Sequence, residues 1–414
     1  QFEVNGSTGI EKIIRAERLS MEKSRPIRFD LFRAKAKNYY GAVVEVSRGC
    51  PFLCEFCDIR VLPGNNRANN KNPDIIIEEI DEYFKLGISQ FQFACDNFIG
   101  DPAWARECVD AVLAWKERTG ATISIFTWLT INLYKYPDLM TKMRKAGFSI
   151  LFIGVESVNG NSLLETAKVQ NCSSLEHAVR EIQSYGFVIA PGFIFGFDSD
   201  TEAVFDETLE FICDTGLIGG DPSFLMALPG TPLYARMKRT NRLTNTDDEP
   251  TVREKITTNI RYLQDTDMLS EGFLDFIHRY TRGNYQFKRF QNHIQSITSS
   301  GNFIPVEGTG YASPKEYLRL QFKNSANRKM LFLRIGYLLR NPLALIAALR
   351  GRLLILRYAK THPGLGLHFN YWVYVWTNIA LKYLGLEKRD FRLHSVDADF
   401  DISTLLSGDS DIYF

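Results

Sequence analysis

The chain has 414 residues, of which 45% are hydrophobic and 23% are charged, and its formal net charge is +1. This composition excludes a disordered or fibrous protein and leaves room for two or three globular domains. The seven cysteines, an odd number in a long chain, exclude the disulfide framework of a small secreted protein. They predict a reduced, cytoplasmic protein.

Charge is distributed unevenly along the chain. The segment from Tyr317 to Leu386 has no Asp or Glu but has eleven Lys and Arg residues, so the rest of the chain carries a net charge of −10. The C-terminal region is therefore expected to differ from the remainder in its electrostatic partners.

The first predicted elements form an alternating series. Residues 1–37 are polar, begin without Met or an apolar leader, and are predicted to be a linker after a longer N-terminal portion. Strands are predicted at 41–46, 89–97, 121–130, 149–157, 187–197 and 222–230. The helices between and after them are predicted at 73–87, 102–120, 136–147, 162–168, 173–186, 200–216 and 231–240. Six strand–helix units over residues 38–245 predict an α/β fold with a parallel sheet, arranged as a partial (β/α)6 TIM-like barrel. Ligands of such barrels bind at the carboxyl ends of the strands.

The alternation stops after residue 245. Residues 251–294 and 314–386 are predicted to be helical, which gives a mainly helical, basic C-terminal domain over 246–390. Residues 391–414 are predicted to be an acidic, loosely ordered tail.

Three cysteines lie within eight positions, directly after the first predicted strand. Cys50, Cys54 and Cys57 have the spacing C-x3-C-x2-C. A structural zinc site would need a fourth Cys or His, and none of the nearest candidates, Cys95, Cys108 and His177, has a pairing spacing. A redox pair of two cysteines would leave Cys50 unexplained. Three thiolates without a local fourth ligand suit an iron–sulfur cluster with one iron open to another ligand. The alternative is that the three cysteines are buried structural residues with no catalytic or metal-binding role.

The stretch RGCPFLCEFC, residues 48–57, resembles the signature of radical S-adenosylmethionine (radical SAM) enzymes, C-x3-C-x-aromatic-C, with Phe56 as the aromatic residue. The resemblance implies a radical SAM barrel in which Cys50, Cys54 and Cys57 hold a 4Fe–4S cluster. The open iron binds the amino and carboxyl groups of S-adenosylmethionine. Reductive cleavage then gives methionine and a 5′-deoxyadenosyl radical that abstracts a substrate hydrogen, so these three cysteines are also the catalytic residues.

The same resemblance implies further cofactor contacts at the ends of the second and fourth strands. Asp96 and Asn97 follow the second strand, where the family binds the methionine amino group. The alternative for Asn97 is a helix cap before Pro102. Glu156 ends the fourth strand, where the family contacts the ribose or the amino acid part of the cofactor.

The fifth strand resembles the family's G-x-I-x-G-x-x-E stretch, which lies along the adenine. Gly192, Ile194 and Gly196 match it, but the Glu position holds Ser199, with Asp198 beside it. This departure leaves the polar contact of the fifth strand open, and Asp198 is the candidate for it. Near the third strand, Thr127 and Asn132 are either substrate-facing or ordinary loop residues.

Six stretches, from RFDLF at 28–32 to ALPGTPLY at 227–234, resemble the cobalamin-binding subfamily of radical SAM enzymes over residues 22–240. This subfamily has an N-terminal cobalamin domain and a helical C-terminal domain. The chain contains no Asp-x-His-x-x-Gly ligand motif, so a cobalamin domain either precedes Gln1 or does not exist. The linker-like residues 1–37 favour the first alternative, in which they are the tail end of that domain.

Residues 328–360 combine Leu, Ile and Phe with regularly placed Arg. Charges interrupt the stretch too often for a transmembrane span, which needs about 20 apolar residues. A basic amphipathic element predicts contact with a membrane surface or an anionic ligand, and the aliphatic content favours lipid over nucleic acid. The alternative is a basic helix that buries its apolar face against the acidic barrel.

The resulting hypothesis is a cobalamin-dependent radical SAM enzyme that methylates an unactivated carbon, with a small-molecule, lipid or isoprenoid-like substrate. One S-adenosylmethionine would methylate cobalamin and a second would generate the radical, with electrons from a donor such as flavodoxin or ferredoxin. We expect a cytoplasmic protein, peripheral to the inner face of the membrane. The alternatives are a cobalamin-independent rearrangement, cyclisation or oxidation, and a non-enzymatic metal or redox binding protein. The remaining cysteines, Cys95, Cys108, Cys172 and Cys213, are predicted to be core residues, and the six histidines show no ligand spacing.

Overall fold

The structure is a computed structural model of the chain. It describes all residues except 1, 5–10, 14–18, 40, 63, 172–174, 245–254, 307–321, 323–324 and 402–414. The predicted core position of Cys172 and most of the predicted C-terminal tail therefore lie outside the described residues.

Six parallel strands form the central sheet. They are β1 Ala42–Glu45, β2 Gln90–Ala94, β3 Ser124–Leu129, β4 Phe148–Glu156, β5 Val188–Phe195 and β6 Asp221–Phe224. Each strand pairs in parallel with the next one along the chain, and the sheet order follows the sequence from β1 to β6. The predicted α/β partial barrel of six units is confirmed, and all six strand carboxyl ends lie at one edge of the sheet.

Helices follow the strands as the alternation predicts. They are α1 Pro73–Lys85, α2 Pro102–Thr119, α3 Pro137–Ala146, α4 Leu175–Ser184, α5 Val204–Thr215 and α6 Pro232–Arg239, with a short helix at Gly160–Glu165 before α4. Gly120, Gly147 and Gly216 end α2, α3 and α5 in the left-handed conformation. Glycine has no Cβ penalty there, which is why it marks these helix ends in the sequence.

The barrel core lies between the sheet and these helices. Alternate residues of β4 and β5 are buried, among them Leu151, Ile153, Ile189 and Phe193. Each helix adds one apolar stripe, as in α1, where Ile76 and Ile80 are fully buried. The core therefore holds the strand ends rigidly, which is the requirement for a site built on them.

The predicted linker packs partly on the barrel. An antiparallel pair of short strands lies at Phe2–Val4 and Glu11–Ile13, and a short helix at Phe29–Phe32 buries Phe29 in the barrel core. Helical turns occur at Met21–Lys23 and Arg33–Asn38, although Pro26 lies between them.

The C-terminal region contains five helices and a pair of strands among the described residues. The helices are α7 Thr266–Thr281, α8 Gly283–Thr298, α9 Ser325–Arg340, α10 Pro342–Tyr358 and α11 Gly366–Lys382. Strand β7 Ile256–Tyr262 pairs in parallel with β8 Phe391–Ser395. A second apolar cluster, around Phe290, Trp372 and Trp376, joins these helices.

The strand pair corrects two expectations. Helix was predicted throughout 251–294, but Ile256–Tyr262 is a strand, because its buried side chains, Thr258, Ile260 and Tyr262, alternate with period two. The predicted loose tail begins with the ordered strand β8. This strand is stabilised by its pairing with β7, a partner about 130 residues earlier in the chain.

None of the described helices is long and apolar enough to cross a membrane by itself. Helices α9 and α10 meet that test of length and composition only as a pair, and they are bent by 106° at their junction.

Candidate active site at the cysteine loop

The cysteine loop, residues 49–57, follows β1 and is fixed by main-chain contacts. Gly49 has φ +92°, and a Cβ at this position would lie 2.2 Å from the Arg67 carbonyl oxygen, so only glycine fits. The Gly49 N–H donates to Asp96 Oδ2 at 2.5 Å, and the Cys50 N–H donates to the Asn65 carbonyl at 2.9 Å. The loop is therefore tied to the end of β2 before any ligand binds.

The three predicted cysteines are free and lie in one electrostatic environment. Cys54 is buried, and Cys50 and Cys57 are partly buried. Burial raises the pKa of Cys50, and the Cys54 thiol adds to this effect. Burial, together with the thiols of Cys54 and Cys50, raises the pKa of Cys57 to about 11. Thiols that influence each other's ionisation lie close together, and bound iron would replace their protons.

Single-ion geometry does not occur here. In the described part of the chain, no three His, Cys, Asp or Glu side chains are arranged to hold one metal ion. Sulfurs that each bind a different iron of a four-iron cluster need not converge on one point. The donor set of three thiols thus fits such a cluster, whereas the zinc alternative gains no support.

Polar side chains surround the thiols. Asn97 Nδ2 donates to Cys50 Sγ at 3.8 Å, and Gln170 Nε2 donates to Cys54 Sγ at 3.5 Å. The Lys168 ammonium lies 5.8 Å from the centre of the Phe56 ring. Donors and a cation near thiolates stabilise the negative charge that iron binding requires.

Lys168 also forms a buried ion pair with Glu156. Nζ of Lys168 lies 2.7 Å from Oε1 of Glu156. Burial lowers the pKa of Lys168, but Glu156 and the thiols of Cys54 and Cys57 outweigh burial and raise it overall. Lys168 therefore stays charged between the acid and the thiols. Sequence reasoning missed it, because it lies 12 residues after Glu156, in a segment without a motif.

Glu156 lies where the resemblance predicts, at the carboxyl end of β4. Its φ is +64°, an uncommon value for a non-glycine residue, and the register between β4 and β5 shifts there. A Cβ on Gly154 would lie 2.1 Å from Glu156 Oε1, and one on Gly192 would lie 3.5 Å from Oε2. Two glycines on adjacent strands thus make room for this carboxylate, and the unusual backbone points to a function.

Asp96 and Asn97 lie at the end of β2, close to the thiols. The Asp96 carboxylate accepts the Gly49 N–H, so it holds the cysteine loop in addition to any role toward the methionine amino group, which stays a prediction. The alternative for Asn97 as the cap of α2 is wrong, because the cap is Asp101, which accepts from the N–H groups of Ala103 and Trp104. Asn97 is almost completely buried and faces Cys50 instead.

The predicted residues of the fifth strand, Gly192, Ile194 and Gly196, contact other parts of the protein. Gly196 has φ +92°, and a Cβ there would lie 2.5 Å from the Tyr262 ring, so part of the need for glycine comes from packing against β7. Gly192 adjoins Glu156, and Ile194 is partly buried. The adenine contact of this strand stays a prediction.

Asp198 is engaged by two arginines. Arg242 donates to both of its carboxylate oxygens, at 2.6 and 2.8 Å, and Arg236 Nη1 lies 2.5 Å from Oδ2. Burial raises the pKa of Asp198, but the two guanidinium groups outweigh burial and lower it overall. A cofactor contact through Asp198 stays a prediction. In the structure, its carboxylate is paired with Arg236 and Arg242.

A buried chain of charges links Asp198 back to the cysteine loop. Glu55, between Cys54 and Cys57, receives two hydrogen bonds from Arg236, at 2.8 and 3.0 Å. Glu55 and Arg242 are almost completely buried. Sequence reasoning missed this chain, since Glu55 and Arg236 are 181 residues apart; an acid inside the cysteine motif was the available signal.

A carboxylate from another segment lies beside Ser199, the position that holds Glu in the family's fifth-strand stretch. Glu165, at the end of the short helix, accepts from the N–H groups of Asp198 and Ser199, at 2.8 and 2.9 Å, and from the Ser199 hydroxyl. Burial raises the pKa of Glu165 to about 7. A carboxylate thus lies beside Ser199, although it comes from a different segment of the chain.

The remaining candidates play supporting roles. Thr127 is fully buried and donates to the Phe93 carbonyl at 3.0 Å, and Cys95 Sγ lies 3.3 Å from the Thr127 hydroxyl. Asn132 accepts from the Thr130 hydroxyl. Cys108 and Cys213 are buried in agreement with the sequence prediction. His293 and His368, which have no spacing pattern, are hydrogen-bonded through Nε2 and Nδ1 at 2.8 Å.

Comparison with known proteins places this site in a family. Residues 44–212 match the model of the Radical SAM superfamily. The chain is 31% identical over 263 residues to the hopanoid C-2 methylase of Rhodopseudomonas palustris (strain TIE-1), covering 63% of this chain and 48% of the methylase. It is 35% identical over 234 residues to an uncharacterised methyltransferase of Synechocystis sp. (strain ATCC 27184 / PCC 6803 / Kazusa), covering 56% and 43%. The chain thus spans about half the length of the curated relatives it matches.

The fold agrees with a solved structure. The cobalamin-dependent S-adenosylmethionine radical enzyme OxsB, with aqua-cobalamin and S-adenosylmethionine bound, superposes with a TM-score of 0.53 at 14% identity. The match covers 93% of this chain and 64% of OxsB, so the likeness of fold extends over the barrel and the helical C-terminal region. The barrel that carries the cysteine loop is therefore similar to the radical SAM superfamily, whose model matches residues 44–212.

Proposed function

We propose that this chain is the catalytic part of a radical SAM enzyme that transfers a methyl group to an unactivated carbon of a lipid or isoprenoid-like substrate. The observation that carries the proposal is the group of three free thiols at the carboxyl edge of the sheet, with Lys168 and Glu156 beside it. The 31% sequence identity to a hopanoid C-2 methylase supports the proposed methyl transfer and the choice of a lipid substrate.

The cofactors of the superfamily fit the residues present. Cys50, Cys54 and Cys57 would hold three irons of a 4Fe–4S cluster and leave the fourth open for S-adenosylmethionine. Together these groups supply a 5′-deoxyadenosyl radical, which abstracts hydrogen from an unactivated carbon.

The protein's own contribution is orientation and exclusion of water. The Gly49–Asp96 and Glu55–Arg236 contacts hold the cysteine loop at both ends. Phe56 packs 6.1 Å from Phe197, ring centre to ring centre, and gives the site an apolar wall. The space that Gly154 and Gly192 leave open positions the Glu156 carboxylate at the strand ends. Fixed charges in a dry site act more strongly than in water.

Cobalamin is part of the proposal as the methyl carrier, bound by a domain outside this chain. The comparison with OxsB supports the shared fold of the barrel and the C-terminal region. An electron donor such as flavodoxin or ferredoxin, a cytoplasmic location and contact with the inner face of a membrane belong to the same proposal.

The experiment uses the native protein that contains this chain, purified anaerobically with and without cobalamin. Candidate lipids are incubated with S-adenosylmethionine carrying a labelled methyl group and with a reductant, and the lipids are analysed by mass spectrometry. We expect labelled methyl transfer that requires cobalamin. Radical formation with rearranged, cyclised or oxidised product and no methyl transfer would replace the methylation proposal by the cobalamin-independent alternative.

A further inference from the structure

Helix α10 buries its small residues and exposes its large ones. The face toward α8 and α11 carries Ala344, Ala347, Ala348, Gly351 and Ile355. A Cβ on Gly351 would lie 2.5 Å from the Trp372 ring, so this face is closely packed. The opposite face carries a row of aliphatic residues that are 50–66% exposed: Leu343, Ile346, Leu349, Leu353 and Leu356. A helix that serves only the core would bury such side chains.

Helix α9 shows the same inversion. Arg334 is buried, where its Nε donates to Asn378 Oδ1 at 2.9 Å and its guanidinium lies 4.3 Å from the centre of the Tyr374 ring. The exposed side instead carries Phe332, Leu333, Ile335 and Leu339. An inward arginine and outward aliphatic side chains indicate that the outer face has an apolar partner.

The two apolar rows lie among cations. Six exposed basic residues belong to the same two helices or adjoin them: Arg328, Lys329, Arg340, Arg350, Arg357 and Lys360. No Asp or Glu occurs from Tyr317 to Leu386, and none of the six is ion-paired with an acidic residue in the part of the chain that the structure describes. Exposed aliphatic rows flanked by unpaired cations are typical of helices that lie in the surface of an anionic bilayer.

The bend between the helices determines how they would meet a bilayer. Asn341 caps α10 by accepting from the Ala344 N–H at 3.2 Å, and Pro342 begins the helix, which fixes the 106° turn. Neither helix alone can cross a membrane. The arrangement therefore favours helices that lie along the surface, with the aliphatic rows in the boundary between head groups and acyl chains.

We propose that the α9–α10 surface, defined by these two aliphatic rows and their flanking cations, docks the protein on a bilayer of anionic phospholipid. The neutralising partner for the cations would be lipid phosphate, and the partner for the rows would be the upper acyl chains. This proposal deepens the membrane contact that belongs to the proposed function, but it needs neither cluster nor S-adenosylmethionine.

Vesicle flotation of the purified full chain tests it. Vesicles of phosphatidylcholine alone are compared with vesicles that also contain phosphatidylglycerol, at low and high salt, without S-adenosylmethionine. The wild type should float with the phosphatidylglycerol vesicles, and salt should weaken this binding. Ile346→Glu combined with Leu353→Glu should lower the bound fraction about tenfold or more, and Arg340→Glu with Arg357→Glu should remove the preference for anionic vesicles.

The control is Leu31→Glu, which changes an equally exposed leucine, 72% exposed, outside the C-terminal region. It should bind vesicles like the wild type. All variants alter exposed residues, so their melting temperatures should equal that of the wild type, and this measurement identifies a variant that fails to fold.

The proposal would be overturned by no binding of the wild type to either vesicle, or by equal binding of the wild type and the Ile346→Glu/Leu353→Glu variant. A wild-type dimer in light scattering that this variant converts to a monomer, without vesicle binding, would also overturn it and assign the surface to a second copy of the chain. Because the assay contains no cofactor, its failure leaves the methyl-transfer proposal standing, and failed methyl transfer leaves vesicle binding unaffected.

Discussion

Lys168 Nζ and Glu156 Oε1 lie 2.7 Å apart, and both side chains are almost completely buried, at 7% and 12% exposed. Glu156 ends β4 in the left-handed backbone region, and Lys168 faces the thiols and the Phe56 ring. The pair therefore connects the strand that is expected to contact the nucleoside with the loop that is expected to hold the cluster.

Removing one partner of this pair should destabilise the protein. Lys168→Met leaves the Glu156 carboxylate buried without its cation, and we expect the free energy of unfolding to fall by about 3 kcal/mol. Glu156→Gln should have a similar effect. The double variant should lose less than the sum of the two single losses, since neither charge remains unpaired. Denaturant unfolding of the four proteins measures the coupling, and strictly additive losses would show that the pair contributes nothing as a pair.

Glu55 should hold the cysteine loop through Arg236. Glu55→Gln removes a bidentate acceptor of a buried guanidinium, so we expect a loss of about 2–4 kcal/mol in stability and a lower iron content after reconstitution. The matched control is Glu176→Gln, which breaks the exposed pair with Arg180 and should cost less than about 1 kcal/mol. Iron analysis beside denaturant unfolding checks this, and unchanged iron binding in Glu55→Gln would contradict the positioning role.

Gly154 should be needed for the position of the Glu156 carboxylate. In Gly154→Ala the new Cβ would meet Oε1 at 2.1 Å, so the side chain must move, at a cost of about 1–3 kcal/mol. Binding of S-adenosylmethionine to the reconstituted protein, measured by equilibrium dialysis, should weaken. Gly160→Ala is the control, because a Cβ there meets nothing within 4 Å. Equal binding by the two variants would remove Glu156 from the cofactor site.

Glu165 should make stability fall with rising pH. Burial, assisted by the Asp198 carboxylate, raises its pKa from 4.5 to about 7 against the opposing effects of the Ser199 hydroxyl and Arg236. The folded state then binds the proton more tightly than the unfolded chain, so this residue destabilises the folded state progressively from about pH 4.5 to about pH 7. In Glu165→Gln the free energy of unfolding should decline less over this range. Asp200, whose burial raises its pKa to about 6, contributes in the same direction in both proteins. Parallel pH profiles would exclude Glu165 as a source of the dependence.

Much of the fold could be predicted from the sequence because the signals are local. Most barrel units combine an apolar strand with a helix that ends at glycine, as at Gly120 and Gly147, and the cysteine motif lies in a single loop. The strand Ile256–Tyr262 was missed because its partner, Phe391–Ser395, follows more than 100 residues later. Pairing energy of this kind is not visible in a short window.

The residues of the candidate site likewise fall into those that local motifs mark and those that only long-range contacts bring together. The thiols and Glu156 are marked by motifs at strand ends, whereas Glu55–Arg236 and Glu165–Ser199 arise only when distant segments meet. The orientation of α10 was equally hidden, because both of its faces are apolar and only packing against Trp372 shows which residues are inside. Sequence periodicity cannot distinguish small buried residues from large exposed ones on such a helix.

The central claim is that Cys50, Cys54 and Cys57 hold a radical-generating cluster. The most direct measurement is anaerobic reconstitution followed by reaction with S-adenosylmethionine and a reductant, with iron and 5′-deoxyadenosine quantified. The account predicts about four irons per chain and 5′-deoxyadenosine formation in the wild type and in the control Cys213→Ala, and neither in Cys54→Ala. Zinc in place of iron, or a full cluster and 5′-deoxyadenosine in Cys54→Ala, would contradict it.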